Sequence, residues 1–432
     1  MLAPADAARL ILQHLRPLRP VRAPLRDALD LVLARDVTSP LDLPPWDNSA
    51  MDGYACRATD LAPGVVLQVI ESVAAGAFPK KKIGPGQATR IFTGAPLPDG
   101  ADTVVRQEDT VPHEQRGARS SSPLSRRERG TGGEDHRVQV TDARDARKNL
   151  RRKGEDIRKG ERVLAAGTAL GPAQIGVLAS IVHRKPAVHP RPVVAFMGSG
   201  DEIADLDEKR AILAGRKIAS SNSYSLFAAI ERAGGVPLDL GIAKDTRASL
   251  RRHLAKAGRA DLLVTTAGVS VGEHDLVRDV LAEMGCEMKL WRIRMRPGAP
   301  LGFGLLKRVP WIGLPGNPVS TLVTFELFVR PAIRRLMGHP LPYRRTVPVL
   351  VEEPVRLGPR LRHFLRAVVA PSGNGGTLAA RLTGPQGSGI LTSMARANAL
   401  LIVPEDRPEV AAAETLQALL LDDPHHVADP PF

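Results

Sequence analysis

From residue 190 to residue 337 the chain repeats one rhythm: a short apolar run, a loop of small and polar residues, then a helix-length amphipathic stretch. Residues 193–197, 236–240, 261–265 and 309–314 read as buried strands. Between and after them, 223–233, 248–257, 275–284 and 318–337 read as helices, the first closed by Gly234 and Gly235. Strands that alternate with helices build a parallel sheet covered on both faces, because a parallel pair needs a crossover connection. The fold class expected is therefore α/β and multi-domain, with this doubly wound domain at its centre. In such a sheet, ligands bind beyond the carboxyl ends of the strands, near the point where strand order reverses.

Four loops rich in small and polar residues fall at those ends: Gly198-Ser-Gly-Asp-Glu202, Gly241-Ile-Ala-Lys-Asp245, Thr265 to Asp275, and Gly313-Leu-Pro-Gly-Asn-Pro-Val-Ser320. In the third, Gly268, Ser270 and Gly272 let backbone approach a bulky anion and offer it N–H groups and a hydroxyl, with a helix dipole behind them. In the fourth, Pro315 and Gly316 lead to Asn317, which suits a helix N-cap, and Pro318, which suits the first helical position. Together the loops point to a phosphate-type ligand. Asp201, Glu202, Asp245 and Asp275 stand on the same loops and would repel that ligand unaided. A Mg²⁺ bridging carboxylates and phosphate oxygens resolves the conflict. For each acid singly, and for Asp275 above all, helix capping is the competing reading.

The flanking segments are of other kinds. Residues 65–73, 88–92 and 102–106 read as strands of a small β-rich unit, and 347–403 as a small all-β domain. Residues 113–137, dominated by Ser, Gly, Arg and Glu, lack the apolar side chains needed to offset the entropy of ordering, and read as a disordered insertion. With 432 residues, roughly three domains of ordinary size fit. The net charge of +14 comes with only 3% aromatic residues, so a nucleic-acid stacking platform is not expected. No run approaches the roughly 20 apolar residues of a membrane span. The N-terminal residues lack the order of a secretory signal. Cys56 and Cys286 are the only cysteines, so no disulfide framework is expected, and a cytoplasmic location follows. The pair His425-His426 has no companion ligands and is assigned no metal.

One string obeys no packing rule: Asp47-Asn-Ser-Ala-Met-Asp-Gly-Tyr-Ala55 packs two carboxylates, an amide, a hydroxyl and a phenol behind Leu43-Pro-Pro-Trp46. A polar turn is the plain reading. The string also resembles the signature of the molybdopterin molybdenumtransferases, the MoeA family that includes the C-terminal half of gephyrin. The segments 91–100, 152–157, 268–272, 313–320 and 387–398 are similar to that family's further motifs, in the same order.

The resemblance implies four parts: an elongated helical part (1–45 and 146–185), an inserted β-rich domain (46–145), the doubly wound molybdopterin-binding domain (186–338) and a C-terminal β-barrel (339–424). It implies a homodimer with a shared cleft that brings Asp52 and Thr93 of one subunit opposite Glu202, Asp245 and Asp275 of the other. Asp52, Thr93 and Asp275 are then the catalytic candidates. Ser199, Arg296, Arg366 and Ser388 match positions that bind substrate. The implied reaction joins molybdate to the dithiolene of adenylylated molybdopterin, with Mg²⁺-dependent release of AMP, and implies contact with the molybdopterin adenylyltransferase. Three departures stand out. Ala299 replaces a lysine in Arg296-Pro-Gly-Ala-Pro300, Thr266-Ala267-Gly268 replaces Ser-Gly-Gly, and Ser199 replaces a threonine. Two other readings share parts of this pattern: ATP-dependent adenylylation of molybdopterin, which needs only the doubly wound domain, and a gephyrin-like scaffold.

Overall fold

The structure, a computed structural model, describes residues 1–113, 136–266, 276–358, 360–372 and 377–422. It falls into two units. One comprises Met1–Arg35, Ala166–Ile175 and Lys185–Phe432; the other comprises Asp36–Ala165 with Gly176–Arg184. The chain opens on helix α1 (Pro4–Gln13), which buries Ala7 and Ile11 in the core of the first of these.

The second unit is built on a six-stranded sheet. Its strands are β1 (Gly53–Cys56), β2 (Val66–Val73), β3 (Gln87–Ile91), β4 (Thr103–Arg106), β5 (Thr110–His113) and β6 (Arg137–Val140), in the order β4-β1-β3-β2-β6-β5. Successive side chains of a strand point to opposite faces, and here both faces are apolar. Ala55, Ile91 and Val104 enter one small core, while their neighbours Cys56, Ala88 and Val105 enter the other. Gly53 is required where β1 meets β4. A Cβ at that position would stand 1.9 Å from the Val105 carbonyl oxygen, so only glycine lets the two backbones pair.

The larger unit carries the mostly parallel sheet. Strand β7 (Val193–Ser199) leads to α2 (Ser221–Ala233), β8 (Val236–Ala243), α3 (Arg247–Ala255), β9 (Leu262–Thr266) and α4 (Leu276–Glu283). A hairpin edge follows, β10 (Cys286–Trp291) and β11 (Gly302–Leu306), then β12 (Val309–Leu314). The order is β8-β7-β9-β12-β11-β10; the first four strands run parallel and the last two pairings are antiparallel. Val194 and Phe196 pack on one face with Leu226 and Ile230 of α2, while Ala195 and Met197 pack on the other with Leu250 of α3 and Val280 of α4. Helices therefore cover both sides. The long helix expected after β12 is α5 (Pro318–Thr324), a π turn over Phe325–Val329, and α6 (Arg330–Leu336). Pro331 has no N–H, which takes a rung out of the ladder where the turn widens.

The C-terminal strands β13 (Thr346–Val351), β14 (Arg362–Pro371), β15 (Leu378–Leu382), β16 (Ala399–Val403) and β17 (Thr415–Leu420) close in the cycle β14-β15-β13-β17-β16-β14. Leu365, Ala367, Val369, Leu401 and Leu416 fill this barrel, while Phe364, one residue out of phase, joins the core of the central sheet. Among the described residues, no helix is long and apolar enough to cross a membrane.

Candidate functional site

At the carboxyl ends of β7, β9 and β12 lies a pocket of about 440 Å³. Ser199 ends β7 and Thr266 ends β9. Glu202 follows in the β7 loop, and Pro315, Gly316, Asn317 and Pro318 connect β12 to α5. Ser221 and Asn222 come from the first turn of α2, so two helix N-termini, where backbone N–H groups lack intrahelical partners, line one cavity. Ser220, Ser221, Asn222 and Thr266 are not among the residues expected from the sequence. The run Ser220-Ser-Asn-Ser223 before an amphipathic helix is a helix-start signal that could have found them, since α2 begins two residues earlier than its periodicity suggests.

Side chains clasp these loops together. Asn222 Nδ2 donates to the Gly316 carbonyl at 2.8 Å, and Thr321 Oγ1 donates to the Pro315 carbonyl at 2.6 Å. Asn317 stands at the N-cap position, but its side chain makes no capping bond. Its Nδ2 donates instead to Ser388 Oγ at 3.0 Å, while the Ser388 carbonyl accepts from Val319 N at 3.1 Å. One free N–H of that helix turn is thus already used, and Ser388, distant in sequence, is joined to the pocket rim. Asn222 Oδ1 is buried without a partner, an acceptor beside the cavity.

The acidic residues divide. Glu202 lines the pocket. Asp201 and Asp245 face each other: Asp201 N donates to Asp245 Oδ2 and Asp245 N to Asp201 Oδ1, both at 3.3 Å. Burial, together with the charges of Asp201 and Glu202, pushes the Asp245 carboxyl above its usual range, against a lowering by the Asp201 N–H. Asp201 lines an adjoining acidic depression with Asp205, Asp207 and Lys217, whose ammonium donates to the Asp201 carbonyl. Among the described residues, no three His, Cys, Asp or Glu side chains are grouped to hold a metal ion.

Two expected arginines lie elsewhere. Arg296 runs beside His363 of β14 and does not line the pocket, although Pro300 at the end of the same segment does. Arg366 is wholly buried. Its Nε donates to Ser393 Oγ at 3.0 Å and its Nη2 to the Gly387 carbonyl at 3.0 Å, so its guanidinium holds the turn that carries Ser388. Gly268, Ser270, Gly272 and Asp275 lie outside the described residues, as does most of the 113–137 insertion.

In the other unit, the string 47–55 separates into structural and exposed parts. Asp47 accepts from Lys153 N at 2.8 Å and Arg152 Nη1 at 2.7 Å, and Asn48 and Ser49 are buried. Asp52 is exposed. Its Oδ1 accepts from Thr93 N at 2.7 Å and from Thr93 Oγ1 at 2.8 Å, so the two residues expected to act together do meet. The Thr93 N–H first, and then its hydroxyl, hold the Asp52 carboxyl below its usual range. The pair presents a fixed, ionised carboxylate to solvent.

Family comparisons agree along the whole chain. Residues 2–182 match the model of the MoeA N-terminal region (domain I and II), 195–335 that of a probable molybdopterin binding domain, and 349–421 that of the MoeA C-terminal region (domain IV). Molybdopterin molybdenumtransferase 2 of Mycobacterium tuberculosis is 36% identical over 420 residues, covering 95% of this chain and 97% of its own. The molybdopterin molybdenumtransferase of Nostoc sp. is 38% identical over 316 residues, covering 71% and 67%. The molybdopterin biosynthesis moeA protein of Pyrococcus horikoshii OT3 superposes with a TM-score of 0.77 at 27% identity, covering 97% of this chain and 100% of that one. A match of this extent, running through the 47–55 string, the strand-end pocket and the closed barrel alike, means that the chain belongs to the molybdopterin molybdenumtransferase family.

Proposed function

We propose that this protein inserts molybdenum into molybdopterin, a step of molybdenum cofactor biosynthesis, using molybdate and adenylylated molybdopterin and releasing AMP. The observation that carries the reading is the Ser199–Asn317 pocket, where two helix N-termini meet the strand-end side chains of Ser199 and Thr266 in a chain aligned with its relatives over nearly their whole length. The backbone N–H groups and the hydroxyls of Ser199, Ser221 and Thr266 suit phosphate oxygens. Asn222 Oδ1 suits an N–H donor on the pterin. Asn317 and Ser388 fix the loop that closes the pocket. In this reading Gly268, Ser270 and Gly272 add backbone contacts, and Pro315, Gly316 and Pro318 shape the wall. Arg296 and Arg366 serve the oxyanion side, Arg366 by holding the Ser388 turn.

Mg²⁺ suits the acids of these loops: Glu202 lines the pocket, Asp201 and Asp245 lie beside it, and the reading adds Asp275 to the set. All are hard oxygen donors, and burial together with its acidic neighbours disfavours the Asp245 charge, a cost that a divalent cation would relieve. Mg²⁺ usually takes one or two protein carboxylates and completes its shell with water and substrate phosphates, so a full protein cage is not needed. When bound, it would neutralise charge gathering on the phosphate as AMP leaves. Asp52, held ionised by Thr93, orients a donor on the substrate from the opposite wall of a cleft shared between two subunits. The reading keeps the four-part division at 1–45 with 146–185, 46–145, 186–338 and 339–424. It also places the protein in the cytoplasm, in contact with the molybdopterin adenylyltransferase that supplies its substrate.

The test is AMP release by the purified protein from adenylylated molybdopterin and Mg²⁺, with and without molybdate. Molybdate-dependent AMP release with formation of active cofactor is expected. ATP consumption on free molybdopterin would instead mark an adenylyltransferase, and no turnover in either direction would mark a binding protein.

A further inference from the structure

Helix α2 begins at the Ser199 pocket and ends, about 20 Å away at 1.5 Å per residue, on a second cavity of about 470 Å³. Arg232 in the last turn of α2, Arg330 at the start of α6, and Arg344 and Arg345 beyond α6 line it, with Leu420, Leu421 and Asp422. Two described carboxylates answer these four cations. Glu326 Oε2 accepts from Arg344 Nε at 2.9 Å and lies 3.9 Å from Arg330 Nε, while Asp422 Oδ2 lies 3.7 Å from Arg232 Nη2 at an exposed edge. Arg334, bonded to His339 at 3.1 Å and under the charge of Asp30, lies nearby.

Arginines this enclosed are ordinarily matched one for one, because an unpaired charge loses its hydration without compensation. Here the Arg330 and Arg344 side chains are only 15% and 20% exposed, yet they share one carboxylate. The local field is accordingly positive. Burial, with Arg344 next and Arg334 and Arg232 adding, brings Arg330 down to about 10 against the pull of Glu326. Burial, then Arg334 and Arg330, brings His339 down to about 4.

We propose that this cavity is a binding site for a tetrahedral dianion of the phosphate or molybdate type, held by Arg232, Arg330, Arg344 and Arg345 and separate from the Ser199 pocket. Planar guanidinium forks converging from two helices and a turn suit such an ion, since each can give two parallel N–H bonds to a pair of its oxygens. Among the described residues, such a dianion also balances the arginine charge that Glu326 and Asp422 leave unmatched.

Calorimetric titration of the whole protein with inorganic phosphate, at constant ionic strength, tests this. Saturable binding that depends on the arginine cavity is expected, over and above any phosphate taken up by the Ser199 pocket. The double variant Arg232→Ala/Arg345→Ala, whose side chains lie toward solvent and leave the core intact, should bind about tenfold more weakly. Asn317→Ala, in the other pocket, should bind phosphate there as the wild type does. Arg330→Met/Arg344→Met should abolish binding in the arginine cavity, with its melting temperature taken in parallel to show that it folds. A molybdate arm separates the sources: equal affinity marks a general dianion site and tighter molybdate a store for the cargo ion, and either sustains the proposal. Absence of saturable phosphate binding in the wild type, or undiminished binding in Arg232→Ala/Arg345→Ala, would overturn it.

Discussion

Asp52 shows how one side chain is prepared by its neighbour. Two donors from Thr93 converge on one oxygen, which fixes the carboxylate and keeps it charged. Asp52→Ala should reduce turnover to background while leaving the melting temperature within about 1 °C, as expected for a solvent-facing residue; AMP release and a thermal melt check both halves. Thr93→Val removes the hydroxyl bond but keeps the N–H. Losing a bond to the charged form raises the carboxyl's pKa, so the acid limb of the pH–rate profile should move to higher pH. His339 makes the opposite point, for stability. It is buried, with its folded pKa brought down to about 4 from 6.5 by burial and then by Arg334 and Arg330. Below pH 6.5 the unfolded chain takes up a proton that the folded chain refuses, so stability falls as pH drops from 6.5 toward 4. His339→Gln should remove about 2 kcal/mol of that loss between pH 7 and 4.5, read from urea midpoints at the two pH values.

Among elements, β1 and the β12–α5 connection carry the most consequence. Gly53 lies inside the 47–55 string, and its role there is steric: a methyl group would meet the Val105 carbonyl at 1.9 Å. Gly53→Ala should force β1 and β4 apart and lower stability by about 2 kcal/mol or more, seen as faster amide exchange across Gly53–Cys56 and Thr103–Arg106. The β12–α5 loop depends on borrowed side chains, Asn222 from α2 and Ser388 from beyond β15. Ser388→Ala removes one acceptor from Asn317 but keeps the Val319–Ser388 backbone bond. The KM for the adenylylated substrate should rise several-fold with little change in melting temperature, which steady-state kinetics beside a thermal melt would show.

For the molecule as a whole, the insertion is the clearest trial of which chain the fold requires. Strands β5 and β6 pair antiparallel with His113 opposite Arg137, so the two ends of the segment already lie side by side and a short turn can join them. Deleting residues 116–134 should leave the melting temperature and AMP release within error of the full chain. A large loss in either would assign the segment a structural or catalytic part. The same scale explains which site residues could be read in advance. Ser199, Glu202 and Pro315 to Pro318 were legible because strand–loop–helix alternation assigns loops to one edge of a sheet. Ser388 and Arg366 were reached only through motif likeness, and Ser220 to Asn222 were missed because α2 starts two residues ahead of its apolar periodicity.

By itself, the sequence determined the doubly wound core, the barrel that follows it and the family, since apolar periodicity and long ordered motifs are local properties of the chain. Tertiary structure alone decided which polar residues of those motifs are supports and which are exposed. Asp47, Asn48 and Ser49 share a motif string with Asp52, and Arg366 reads as a substrate-binding residue, yet hydrogen bonds or burial absorb these four while Asp52 stays open. It also gathered Arg232, Arg330, Arg344 and Arg345 from separate elements into one cavity. The physical reason is the same in both cases: burial and hydrogen-bond partners are set by residues far apart in sequence, and no local pattern encodes which group will be left with charge to spare.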